Sequence, residues 1–443
     1  MKATLEKLVS FGTRNTLSNP DDPRRGVGAA RQWIFDEFKS YSPRLQVRFD
    51  KWRVKKQGRV FKDIDLYDVI AVLPGKTMPE TEILVTAHYD SLNLGARPPA
   101  APSPDGAVAP PRQLTPEEQE QQAALPAPGA CDDGSGTAAV MELARIMSQY
   151  EFDKTLVFIA FAGEEQGLIG STLEAAKAKK ANEAIEAVLN NDIVGTEVSG
   201  NGRIDNSTLS VYADETMDSP SQQLARFIRD VGERYVPSMN VKVMFMPDRI
   251  GRGGDHTPFQ LEGYAAVRFS TPNENYANQH SATDTLENMS VPYTARVAKV
   301  NGAVAASLAL APKPPAVMSI PAAGRAGALP STDGAVAAAT GRGGRGPQPM
   351  LTRGPSRYDA QLRWRPAGSD VNLQGYAIVY RATTAPFWEH EVFVGKVNEY
   401  TLKDFSIDDV RFGVKAIGAD GTESLVAPYV FPPRRKVEIQ TVP

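Results

Sequence analysis

Residues 25–41 (RGVGAARQWIFDEFKSY) set apolar side chains three and four apart, the period of a helix with one buried face. QVRFDKWRV at 46–54 alternates instead, as a strand does, and LYDVIAVLP at 66–74 continues in the same manner. ILVTAH at 83–88 and TLVFIAFAG at 155–163 are short continuous apolar runs, expected of strands covered on both faces. A helix is predicted over 137–150 (TAAVMELARIMSQY) and another near 165–180. A buried run at 187–195 (AVLNNDIVG), a helix around 219–235, the strand YAAVRFS at 264–270 and a long helix around 291–310 complete the series. Apolar strands alternating with helices predict an α/β domain with a mixed, largely parallel sheet and helices on both faces. It occupies 1–311.

Two stretches break the pattern. Residues 312–355 are dominated by Pro, Gly and Ala and bury too little apolar surface to order themselves, so they are expected to be a linker. Nine prolines between 95 and 130 mark an insertion, expected as a lid over a site that limits substrate size. Beyond the linker, AQLRWRP, GYAIVYRAT, EVFVGKV, YTLKD and RFGVKAIGADG are short alternating runs parted by turn residues. They predict a small all-β sandwich over 356–443. The spacing of Trp364, Tyr376, Tyr380, Leu402, Phe412 and Ala416 resembles a fibronectin type III domain.

Composition narrows what such a chain can do. Lys and Arg total 49 against 52 for Asp and Glu, with no long run of one sign, which argues against nucleic acid or a polybasic membrane surface. No apolar stretch reaches the roughly 18 residues that span a bilayer. The single cysteine, Cys131, excludes an intrachain disulfide and a Cys-based zinc finger. MKATLEKLVSFGTRNTL has no continuous apolar core and is not a signal peptide. The expectation is an exported protein, periplasmic or extracellular, whose signal is not part of this sequence; a cytoplasmic location stays open.

The chemistry collects at predicted strand ends. His88 and Asp90 close the strand 83–88, Asp132 and Asp133 precede the helix of 137–150, and Glu164 and Glu165 follow the strand 155–163. Asp192 lies in the strand 187–195, and His280 precedes the last helix. In open α/β sheets the carboxyl ends of strands form the ligand crevice. Two imidazoles with several carboxylates and no sulfur suit zinc, or else manganese or cobalt. The number of donors exceeds the three that a lone hydrolytic zinc needs, which favours a pair of ions with one shared carboxylate.

HYD at 88–90, CDDGSG at 131–136, FAGEEQGLIGS at 161–171, NND at 190–192 and HSATDT at 280–285 together resemble the co-catalytic double-zinc aminopeptidases, whose relatives include glutamate carboxypeptidases and glutaminyl cyclases. The blocks fall in family order over about 1–310. The resemblance implies two Zn²⁺, with Asp132 bridging, His88 and Asp192 completing one site, and Glu165 and His280 the other. It implies Glu164 as the general base acting on a metal-bridging water, and Asp90 as the partner of the second His88 nitrogen. It also implies a cis peptide between Asp132 and Asp133.

The implied activity is removal of the N-terminal residue of a peptide substrate. Two alternatives are a carboxypeptidase or dipeptidase on the same scaffold, with Arg249 and Arg252 receiving a carboxylate, and a non-catalytic binding protein. His256, in GGDHTPF, is expected to be structural beside the substrate pocket, with Asp255 a candidate contact, and His390 a surface residue. Relatives often carry a tyrosine just before the last histidine, where it stabilises the oxyanion. This chain has Gln279 there, leaving Tyr276 and Arg252 as candidate donors. The C-terminal module is expected to contact another protein or a carbohydrate.

Overall fold

The computed structural model describes residues 1–95, 114–317, 350–368 and 372–430. Most of the Pro-rich insertion (96–113) and most of the linker (318–349) lie outside the described residues, and with them the expected lid. The chain forms two compact units, Met1–Leu310 and Ala311–Pro443.

The first unit opens with helices α1 (Lys2–Ser10) and α2 (Gly26–Tyr41), then strands β1 (Gln46–Val54), β2 (Ile64–Leu73) and β3 (Met78–His88). Helices α3 (Pro116–Ala123) and α4 (Gly134–Met147) precede β4 (Lys154–Phe161), α5 (Ile169–Ala181) and β5 (Ala184–Asn191). β6 (Thr208–Tyr212), α6 (Pro220–Tyr235), β7 (Asn240–Met244), α7 (His256–Leu261), β8 (Ala266–Ser270) and α8 (Val291–Leu310) follow. The eight strands make one mixed sheet in the order β1-β2-β4-β3-β5-β8-β6-β7. β4, β3, β5 and β8 run parallel, as do β6 and β7, while β1/β2, β2/β4 and β6/β8 are antiparallel.

Every position of β4 is buried, as its unbroken apolar run requires of a central strand. The buried Lys154 of that strand is matched by Glu186, whose carboxylate receives two hydrogen bonds at 2.7 and 2.9 Å. Such a pair keeps a charge from being stranded in the core. Amphipathic α6 starts where Ser219 caps the Gln222 amide and Pro220 presets the first turn. Helix α4 begins against β5. A Cβ at Gly136 would lie 2.3 Å from the Asn191 carbonyl oxygen, so glycine alone lets the helix start so near the sheet.

The insertion carries one element that periodicity does not announce. α3 is held by a capping box between Thr115 and Glu118. Ser91, Asn93 and Leu94 on the outgoing side bond to Ala127, Pro126 and Gln122 on the returning side, closing the base of the insertion.

In the second unit β9 (Leu351–Thr352), β10 (Ala360–Arg363) and β13 (Glu399–Leu402) form one antiparallel sheet. β11 (Leu373–Ala382), β12 (His390–Gly395), β14 (Val410–Gly418) and β15 (Ala427–Pro428) form another. Trp364, Tyr376, Ile378, Phe412, Val414 and Ala416 fill the space between them, an antiparallel β-sandwich. Among the described residues no helix is long and apolar enough to cross a membrane.

Candidate metal centre

Three parallel strands deliver their carboxyl ends to one place. His88 is the last residue of β3. Glu164 and Glu165 follow β4 after Gly163, whose φ of 76° turns the chain where a side chain would be strained. Asp192 stands one position beyond β5 rather than inside it. Asp132 sits before α4, where Asp133 caps the Gly136 amide, and the peptide between the two aspartates is cis, as the resemblance implied. His280 comes from the loop after β8, with its own φ at 51°.

The donor atoms converge. His88 Nε2 lies 3.4 Å from Asp132 Oδ1 and 3.8 Å from Asp192 Oδ1. His280 Nε2 lies 3.2 Å from Asp132 Oδ2 and 3.1 Å from Glu165 Oε2. The two oxygens of Asp132 therefore face two different imidazoles. His88, Glu164 and Asp192 form one group whose donors lie within 4.8 Å of one another, and Asp132, Glu165 and His280 form a second.

His88 Nε2 and Glu165 Oε1 are buried with no hydrogen-bond partner, as donor atoms shaped to hold a cation would be. The donor set, nitrogen and oxygen without sulfur, fits zinc. Charge tells the same story. Against the cost of burial, His280 and His88 draw the Asp132 carboxyl well below its usual range, and Glu165 and Asp132 lift His280 to about 11. Burial pushes Glu164 well above an ordinary carboxylic acid, with Asp192 and Glu165 adding repulsion.

The surrounding groups orient the donors. His88 Nδ1 is 3.2 Å from the Asp90 carbonyl and 3.5 Å from its Oδ1, so the main-chain oxygen is the nearer of the two. The Asp90 carboxylate accepts the amides of Glu164 and Glu165 and the Thr16 hydroxyl. Asp284 accepts the amides of Cys131 and Asp132 at 2.8 and 2.9 Å. Asp133 accepts those of His88 and Ile193. Thr16 gave no sequence signal. Asp284 stood within HSATDT, but spacing alone assigns it no partner.

The remaining candidates separate. Asp255 is fully buried, accepts the Ser171 hydroxyl at 2.5 Å, and is pushed up to about 7 by burial; its Oδ2 has no partner. His256 gives Nε2 to the Pro247 carbonyl at 2.7 Å and is buried. Tyr276 is 65% exposed. Arg252 bonds Glu274 and Gln279 at 3.1 and 3.3 Å, with its side chain 31% exposed. Arg249 is committed to Asp248 and Glu274 and is only 11% exposed.

A model of peptidase family M28 matches residues 68–305, more than half of the chain. The chain belongs to peptidase family M28. It is 35% identical over 460 residues to a "probable zinc metalloprotease" of Pyricularia oryzae, covering 96% of this chain and 80% of that one. A "probable zinc metalloprotease" of Leptosphaeria maculans is 33% identical, with 98% and 94% covered. Among solved structures, LapA of Legionella pneumophila superposes with a TM-score of 0.51 at 21% identity, over 70% of this chain and 72% of its own. LapB of the same organism gives 0.51 at 22% identity, over 70% and 71%. Both show a shared fold. As an M28 member the chain is a peptide hydrolase, and all five sequence blocks that carried the resemblance lie within or around the matched span.

Proposed function

We propose that this M28 peptidase is a zinc-dependent aminopeptidase with two ions held by His88, Asp132, Glu165, Asp192 and His280. The observation that carries the reading is the Asp132 carboxylate, whose two oxygens face His88 and His280 at 3.4 and 3.2 Å. Asp132 would bridge, His88 and Asp192 would complete one position, and Glu165 and His280 the other. The zinc relatives support the choice of metal. When bound, zinc would polarise a scissile carbonyl and lower the pKa of a bound water to about 7.

The chain's own groups do the rest. Glu164 is half-buried beside His88 and Asp192, where it takes a proton from the attacking water. As the carbon–nitrogen bond breaks, Glu164 returns that proton to the departing amine. Asp90 fixes Glu164 and Glu165 through their amides, so the base keeps its place while its proton moves. The acids gathered at the centre supply the negative field that would receive a substrate α-ammonium. Arg252, part-exposed near the acids, favours a second reading in which a free carboxylate is recognised and the enzyme is a carboxypeptidase or dipeptidase.

Dipeptides blocked at either end decide between them. Amino-blocked substrates are expected to resist hydrolysis while carboxyl-blocked ones are cleaved. The reverse pattern sinks the aminopeptidase reading. Elemental analysis is expected to give about two zinc per chain.

A further inference from the structure

Arg268 plays no part in the chemistry above, yet it is fully buried within β8 and touches a proposed ligand. One amino group lies 2.9 Å from Asp192 Oδ1 and also reaches the Asp192 carbonyl at 3.3 Å. The other lies 3.0 Å from Asp248 Oδ2 and 3.3 Å from the Gly253 carbonyl. Asp192 Oδ1 is the same oxygen that faces His88 Nε2 at 3.8 Å. The second oxygen, Oδ2, backs onto Gly254, where a Cβ would come within 3.2 Å of it. A buried cation therefore already occupies the oxygen that Asp192 turns toward its metal position. In the other group, Glu165 and Asp132 meet His280, a neutral ligand once deprotonated, and no arginine bonds to either carboxylate among the contacts described.

We propose that Arg268 competes with the metal for Asp192 Oδ1 and so weakens the His88–Asp192 position, making its ion the exchangeable one of the two. The proposal rests on the two-ion reading above. Two effects oppose each other when the guanidinium is removed. Losing a group that orients a ligand typically costs about 10–100-fold in metal affinity. Removing a unit charge from beside a dication, in a buried site where salt screens little, acts the other way and at these separations is the larger effect. Asp192 also keeps other restraints, since its amide bonds the Phe269 carbonyl and the next residue's amide bonds Asp133.

The test is a zinc titration of the full chain, stripped by chelation, against a chromophoric competitor, with no substrate present. The wild type is expected to fill in two steps. In Arg268→Met the weaker step should tighten by about tenfold or more, and in Arg268→Lys, which keeps the charge, by much less. Asp248→Asn removes the other carboxylate that shares the guanidinium, leaves Asp192 as its bonded carboxylate, and should weaken that step further; this variant decides the matter if Arg268→Met does not fold. Two steps with the weaker one unmoved or loosened in Arg268→Met, or unmoved in Asp248→Asn, overturn the role of Arg268 alone. Two equivalents taken up in a single step by the wild type also overturn the role of Arg268 alone, whereas one equivalent in all overturns the two-ion reading and this inference with it.

Discussion

Glu164→Gln separates the proposed base from the proposed ligands beside it. The change is nearly isosteric and leaves the Glu164 amide on Asp90 Oδ1 at 3.3 Å, so the loop after β4 has no reason to move. What disappears is the group that carries the proton. General-base catalysis is worth about 10²–10⁴ in rate, and at ~1.4 kcal/mol per decade that adds about 3–6 kcal/mol to the barrier. The same change removes a carboxyl whose charged form burial, Asp192 and Glu165 disfavour, against the attraction of His88. The metal-free protein should then melt no lower than wild type. The assay pairs kcat and KM on an unblocked dipeptide with zinc content and thermal melting. The expected result is kcat down by about 10²–10⁴, with zinc retained and KM little changed. Activity above a tenth of wild type would refute Glu164 as the base, and loss of zinc together with activity would move it among the ligands.

Other outcomes follow from the same geometry. Chelation should abolish hydrolysis and lower the melting temperature, since an ion at 100 times its dissociation constant stabilises the fold by about 2.7 kcal/mol; zinc should restore both. Gly136→Ala would force a Cβ to 2.3 Å from the Asn191 carbonyl and should cost about 1–3 kcal/mol or more in denaturant unfolding. Phe412→Ala, in the core of the sandwich, should destabilise that unit by about 3–5 kcal/mol while leaving kcat/KM on a dipeptide unchanged. A parallel loss of activity would show that the sandwich takes part in small-substrate hydrolysis.

Where hydrophobic periods were long, the sequence was readable almost to the residue: β1, α2, α6 and α8 start within one residue of expectation. β6 and β7 were missed because TLSVY and NVKVM are five residues each, too short to establish a period. Helix α3 is missed for another reason. PEEQEQQA has almost no apolar face, and its only signature is the cap formed by Thr115, Pro116 and Glu118. The residues brought together at the centre were legible as types at strand ends, because chemistry there needs side chains the core would reject. Their partners were less so. Arg249 and Arg252 look interchangeable along the chain, but only the fold shows Arg249 spent on Asp248 and Glu274.

The surplus of acids around the centre has an explanation that a ligand count misses. Asp90, two residues after His88, accepts the amides of Glu164 and Glu165. Asp133, beside Asp132, accepts the amides of His88 and of Ile193, the neighbour of Asp192. Asp284, four residues after His280, accepts the amides of Cys131 and Asp132. Three of the five donor-bearing segments thus carry a carboxylate that holds another by its backbone: the His280 loop braces Asp132, the Asp132 loop braces His88 and the neighbour of Asp192, and the His88 loop braces the two glutamates. Strands alone would fix only His88 and the ends of β4 and β5. The bracing extends that order to Asp132, which opens a helix, and starts from the long loop of His280. Loops joined in this chain cannot be loosened one at a time without disturbing the next, so losses in metal affinity from Asp90→Asn, Asp133→Asn and Asp284→Asn should combine non-additively rather than sum.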